Sequence, residues 1–196
     1  MNDTRVVDDR TRNRNRMFLI AIFVMFFGSM LVAGILRFSG WQPEGRRNHG
    51  ELLDPPGDLR DVVPRLADGG EYRWADEART WRIVAAPPAG CGTACDALAR
   101  DLDTVWRLFG KDADRVDLLW ICNAEGCMPP ADARPRSLHL LDPDPRLRAA
   151  LPRADAGVGG VPVYVIDPNG FVILRYPPGF DPAGLRADIA KLLKLI

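Results

Sequence analysis

Two close pairs of cysteines hold the reactive chemistry of this sequence. One is Cys91-Gly-Thr-Ala-Cys95 and the other Cys122-Asn-Ala-Glu-Gly-Cys127; no further cysteine occurs. Paired thiols exchange between dithiol and disulfide, or they present two thiolates to one soft metal ion, for which Cu(I) is the natural candidate outside the cytoplasm. The first pair stands between an apolar run, Trp81–Ala86, and an amphipathic one, Asp96–Phe109. A helix start stabilises negative charge, so a thiol placed there ionises more easily and becomes a nucleophile or a ligand. The spacing adds a constraint. On a regular helix, residues four apart hold their Cβ atoms roughly 5–6 Å apart, whereas a disulfide needs roughly 3.5–4.5 Å. A bond therefore requires Cys91 in the turn and not on the helix, and Gly90 and Gly92 permit that bend. A purely structural disulfide tethering the helix start is the alternative, and it stays open at this point.

Cys122 and Cys127 follow directly on the apolar run Arg115–Ile121. They read as a local disulfide pinning a loop, or as a relay or second ligand set for the first pair. A tetrahedral four-cysteine zinc site is the remaining option, and the spacings speak against it. Four cysteines allow three pairings, among which the sequence does not choose. Met128 adds a soft sulfur beside Cys127. Only two histidines occur, His49 and His139. His139, in Ser137-Leu-His-Leu-Leu141, joins Cys91 and Cys95 as a metal ligand only if its loop folds back; His49 belongs to a lead-in segment.

The elements that must position these residues are legible from periodicity. Trp81–Ala86 is a buried strand, Asp96–Phe109 an amphipathic helix stopped by Gly110, and Arg115–Ile121 a second strand. Asp144–Leu151 is a short helix. Val161–Asp167 and Phe171–Tyr176 form a hairpin about Pro168-Asn169-Gly170. Asp181 caps a last helix with Pro182 at the favoured first position. Strand, helix, strand, short helix, hairpin and helix describe a mixed α/β sheet. Trp74, Trp81, Trp106 and Trp120 belong to packing. The 26 basic and 26 acidic residues cancel, so no basic face points to nucleic acid. No phosphate loop, dinucleotide fingerprint or Ser/His/Asp arrangement is present.

Met17–Leu36, MFLIAIFVMFFGSMLVAGIL, carries no charge. At ~1.5 Å per residue its length spans a hydrocarbon core of ~30 Å. A cleaved signal peptide is the alternative, but the run is long for one and no A-x-A site follows. Arg5, Arg10, Arg12, Arg14 and Arg16 precede it, and Arg37 stands alone after it until Arg46 and Arg47. The positive-inside rule then leaves residues 1–16 in the cytoplasm and sends the rest outward. The expected organisation is a cytoplasmic N-terminus over 1–16, a transmembrane helix over 17–37, a juxtamembrane linker and lead-in over 38–70, and a folded domain over 71–196. In a Gram-negative cell that domain is periplasmic, where disulfides persist; Trp41 reads as an interfacial anchor.

A strand, a cysteine motif, a helix, a strand, then Gly-Val-Pro before the Val-Ile-Asp-Pro-Asn-Gly hairpin resembles the thioredoxin-like superfamily from about Trp81 to Ile196. The resemblance implies a thioredoxin-like mixed sheet flanked by helices. It also implies a cis proline facing the cysteine pair, a position that Pro162 matches. The three-residue gap between the cysteines and the single N-terminal anchor are most similar to the Sco/SenC family, membrane-tethered copper chaperones and thiol reductases serving cytochrome c oxidase. That likeness implies Cu(I) as cargo and an oxidase subunit or another assembly factor as partner. Sco proteins place a histidine ligand just before the late strand; here that segment is Gly159-Gly160-Val161-Pro162. The alternatives are a general thiol–disulfide oxidoreductase, a class that normally has two residues between its cysteines, and a non-catalytic interaction domain whose cysteines are staples.

Overall fold

The apolar run winds as one long helix. In the computed structural model, which describes residues 3–39, 48–74, 79–123, 138–155 and 160–195, α1 spans Asp3–Phe38. Its Thr11–Phe38 portion is long and apolar enough to cross a membrane. Phe18, Leu19, Ile20, Met25 and their apolar neighbours stay exposed along its length, a distribution that suits lipid and not water. Contacts divide the chain into this helical unit, Met1–Arg46, and a folded unit, Arg47–Ile196.

The folded unit is built on one six-stranded sheet in the order β1-β6-β5-β2-β3-β4. The strands are β1 Glu51–Asp58, β2 Trp81–Ala85, β3 Val116–Ile121, β4 Leu138–Leu141, β5 Val163–Ile166 and β6 Phe171–Tyr176. β2, β3 and β4 run parallel; β5 pairs antiparallel with β2, β6 with β5, and β1 with β6. Helix α2, Gly92–Arg107, connects β2 to β3; α3, Pro145–Ala150, lies between β4 and β5; α4, Pro182–Leu192, follows β6. Asp181 caps α4 as its sequence predicts, accepting from the Ala183 amide at 2.9 Å.

Strand periodicity sends alternate residues to opposite faces. Ile83, Ala85, Leu118, Trp120, Val163 and Val165 pack with Leu98, Leu102 and Val105 of α2 and with Leu185 and Ile189 of α4. Val84, Leu119, Ile121, Tyr164 and Ile166 pack with Leu147 of α3 and with Leu59, Tyr72 and Trp74. Both faces are covered, which is why β5 reads as an unbroken apolar run and β2 as one interrupted only by Arg82.

Two elements differ from the sequence reading. The lead-in is not a linker throughout: Glu51–Asp58 forms β1 on the edge of β6, with a register shift between Leu52 and Gly57. Pro55 and Pro56 hide this strand from pattern reading, yet proline is tolerated where a strand edge needs no ladder donor. Leu138–Leu141, expected as a loop carrying His139, is the parallel edge strand β4.

The lead-in is fastened by a buried carboxylate. Asp188 of α4, 3% exposed, accepts from the His49 and Gly50 amides at 2.7 and 3.0 Å and from the Tyr176 hydroxyl at 2.8 Å. His49 Nδ1 and Lys191 Nζ lie 3.2 and 3.0 Å from its other oxygen. Burial pushes this carboxyl up, but the Gly50 amide, Lys191, Tyr176 and His49 outweigh it and hold it at about 2. A second buried charge, Arg82 on β2, is fully enclosed. Its guanidinium donates to the Tyr72 hydroxyl at 2.9 Å and to the Asp167 and Pro168 carbonyls at 3.3 and 3.2 Å.

Candidate active site at the Cys91–Cys95 turn

The turn at the end of β2 brings the first cysteine pair together as a disulfide, Cys91–Cys95, with Cα atoms 5.6 Å apart. Cys91 is the N-cap residue of α2 and Cys95 lies in its first turns. Gly90 and Gly92 take φ values of +70° and +45°, the left-handed region that glycine alone enters freely. These two residues bend the chain about Cys91, so the pair closes at a spacing that a regular helix would hold too wide. A Cβ at either glycine would meet no atom within 4 Å, so the turn stands in open space.

The two sulfurs have unequal surroundings. Cys91 is half-buried, whereas Cys95 is 7% exposed and belongs to the core of the α2 face with Val161, Leu98 and Leu185. No acidic residue lies in the first turn of α2, so nothing there opposes the partial positive charge of its amides. On reduction, Cys91 is the accessible sulfur beside the helix start and Cys95 the enclosed one.

Neighbouring segments fix the turn. Arg148 Nη1 donates to the Pro87 carbonyl at 3.1 Å, and Asn123 Nδ2 to the Pro88 carbonyl at 3.3 Å. Neither residue is marked by any local motif; each reaches the turn through the fold. Beside α2, Ala94, Leu98, Gly160, Val161 and Phe180 line a cleft of about 250 Å³. Gly160 is required there, because a Cβ would fall 2.5 Å from Pro178 Cβ.

The other sequence-predicted residues divide. Pro162 is buried and continues the pairing of β5 with β2, its carbonyl accepting from the Ala86 amide at 3.2 Å. It thus stands beside the strand that leads into Cys91, but the bond to it is not cis; among the described residues the cis prolyl bond is Asp54–Pro55. His139 is not brought to the cysteines. It pairs with Leu119, a residue of the α3 face, while Cys95 belongs to the α2 face. Its ring lies 3.7 Å from Asp117, which in turn accepts from the Tyr72 hydroxyl at 2.6 Å. Burial acts to raise the Asp117 carboxyl, but His139, Tyr72 and Arg82 hold it below its usual value. The ligand set Cys91, Cys95 and His139 is therefore not assembled. Among the described residues, no group of three or more His, Cys, Asp or Glu side chains is placed to hold a metal ion. Cys122 is itself disulfide-bonded; Cys127, Met128 and Trp41 lie outside the described residues.

Comparison with known proteins agrees with this architecture. BsSco, from work on a disulfide switch in this member of the Sco family of cytochrome c oxidase assembly proteins, superposes with a TM-score of 0.51 at 12% identity, covering 75% of this chain and 95% of its own. A SCO1/SenC family lipoprotein from Bacillus anthracis superposes at 0.50 and 15% identity, covering 71% and 98%. A bacterioferritin comigratory protein from Xanthomonas campestris gives 0.48 and 16%, covering 74% and 94%. At such identities the likeness to the two Sco and SCO1/SenC structures is one of fold. No curated protein matches the sequence. Residues 81–196 match a family described as the transmembrane-like, thioredoxin-like, C-terminal domain. From β2 to its C-terminus the chain has the strand order and cysteine turn of a thioredoxin-like domain, and it belongs to that family.

Proposed function

We propose that this chain is a membrane-tethered thiol–disulfide exchange protein working through Cys91 and Cys95 on the outer, periplasmic face of a bacterial inner membrane, in the service of cytochrome c oxidase assembly. The observation that carries this reading is the asymmetry of the cysteine pair: a half-buried sulfur at a helix N-terminus, in an open glycine-flanked turn, bonded to an enclosed one. Exchange begins when an incoming thiolate attacks the accessible sulfur, Cys91, and breaks its bond to Cys95; Cys95 leaves as a thiolate. In the opposite direction the Cys91 thiolate attacks a partner disulfide, and Cys95 then resolves the mixed disulfide by attacking Cys91.

The reduced pair also offers two soft sulfur donors, and Cu(I) is the cargo they suit. His139 takes no part in that. Support for an oxidase as the destination comes from the Sco family of cytochrome c oxidase assembly proteins, whose member BsSco shares the fold. The arginines at the start of α1, ahead of its apolar run Met17–Leu36, support the outward orientation of the folded unit.

Titration of the full chain in detergent against glutathione buffers tests the exchange reading. A Cys91–Cys95 pair that equilibrates above about −300 mV is an exchanging disulfide; one that stays closed below that value is a staple, and the proposal falls. Cu(I) titration of the reduced chain, compared with Cys91→Ser, tests the cargo. Stoichiometric binding in the parent that is lost in the variant supports it.

A further inference from the structure

The strand that leads into Cys91 loses its ladder before it reaches the cysteine. The Ala86 amide donates to the Pro162 carbonyl at 3.2 Å. Pro87 and Pro88 follow, and proline has no N–H with which to continue the pairing. Their carbonyls still need donors, Pro87 being buried and Pro88 half-buried. Side chains from two other elements supply them. Arg148 Nη1, on α3, donates to the Pro87 carbonyl at 3.1 Å, and Asn123 Nδ2, just past β3, to the Pro88 carbonyl at 3.3 Å. Arg148 is itself aimed: its Nε and Nη2 lie 2.7 and 2.6 Å from Asp155 Oδ1, which leaves Nη1 for Pro87. The helix that carries it is seated by the fully buried Leu147 and capped by Asp144, which accepts from the Arg146 amide at 2.7 Å.

We propose that Arg148 and Asn123 are positioning residues of the exchange reaction, a clamp on the two prolyl carbonyls that holds Cys91 against Cys95 and favours the closed disulfide. This rests on the exchange function above and adds to it what sets its equilibrium. The closed Cys91–Cys95 ring already restrains the segment from Pro87 to Cys91. Reduction opens the ring, and the same segment then has more conformations to visit. A clamp on its first two carbonyls withdraws more freedom from the open form than from the closed one. It therefore raises the effective concentration of Cys91 at Cys95. The same restraint acts in turnover. When Cys91 carries a mixed disulfide with a partner, Cys95 resolves it faster if Cys91 is kept at the helix start.

The test uses the full chain in detergent, equilibrated in glutathione or dithiothreitol buffers, with alkylation and peptide mass spectrometry reading Cys91 and Cys95 separately. In Arg148→Met and in Asn123→Ala the equilibrium is expected to move toward the dithiol by about threefold to tenfold. At 29.6 mV per tenfold, that raises the potential by about 14–30 mV. The glutathione adduct on Cys91 is expected to be at least threefold more abundant in both variants. A residue that merely supported the fold would weaken the oxidised and reduced forms alike and leave the potential where it was. An unchanged potential in both variants therefore overturns the clamp, whatever happens to their stability. So does a potential that falls in Arg148→Met, the result of losing a cation that stabilised a thiolate. If Arg148→Met does not fold, Asp155→Asn replaces it. Asp155 is largely exposed, and its loss frees Arg148 from its aim; a rise in the same direction is expected, and no rise overturns the clamp. The exchange reading fails separately, on the parent alone, if its pair stays closed below about −300 mV; the difference between parent and variants is read in either case.

Discussion

Replacing Asp188 by asparagine isolates the charge of the carboxylate that fastens the lead-in to α4. In the parent, burial opposes ionisation, yet two backbone amides, the Tyr176 hydroxyl, His49 and Lys191 hold the carboxyl at about 2 against an ordinary 3.8. That fall is worth about 2.4 kcal/mol at ~1.36 kcal/mol per pH unit. Asparagine keeps the shape but loses the charge, and its NH₂ turns a donor toward Lys191 or the amides. A loss of about 2.4 kcal/mol is therefore expected at pH 7. The folded value lies below the unfolded one, so this stabilisation is complete above about pH 4 and drains away as the pH falls toward 2. By pH 2 the linkage leaves less than about 0.5 kcal/mol of it. Guanidinium unfolding of the full chain in detergent, followed by tryptophan fluorescence between pH 7 and pH 2, reads both quantities. A variant as stable as the parent at pH 7, or a gap undiminished at pH 2, refutes the argument.

Three further changes follow from the same structure. Gly50→Ala places a Cβ 2.5 Å from the Tyr176 ring, which its bond to Asp188 holds in place, so thermal melting should show a loss of roughly 1–3 kcal/mol. Arg82→Met leaves the Tyr72 hydroxyl and the Asp167 and Pro168 carbonyls short of a fully buried donor; a cost of about 3 kcal/mol is expected in denaturant unfolding, and a neutral result would mean the charge is dispensable. The Cys91–Cys95 bond closes a loop of only a few residues, so Cys91→Ser/Cys95→Ser should lower stability by ~2 kcal/mol without changing the denaturant slope.

Local pattern carried much of the fold. The uncharged run Met17–Leu36 needed only its length to declare a membrane-compatible helix. The β2 and β3 strands, the β5–β6 hairpin, α2 and the Asp181-Pro182 start of α4 all followed from periodicity and capping residues near one another in the chain. So did the site's first requirement, that Gly90 and Gly92 bend the chain about Cys91. The two edge strands escaped for local reasons. β1 carries Pro55 and Pro56 and is mostly exposed, so it shows no alternation, and β4 is only Leu138–Leu141, too short to separate from a loop.

What the sequence could determine, then, was which residues are chemically able to act and which short segments must fold around them, because propensity, periodicity and capping operate over a few residues. Tertiary structure alone decided which of three cysteine pairings forms at the turn, that His139 faces away from it, and that Arg148 and Asn123 hold it. It also joined His49 to Asp188 across 139 positions and enclosed Arg82. Each of these depends on which strand lies beside which and on the face to which a side chain is sent, and a sheet order of β1-β6-β5-β2-β3-β4 is written in no single stretch of residues.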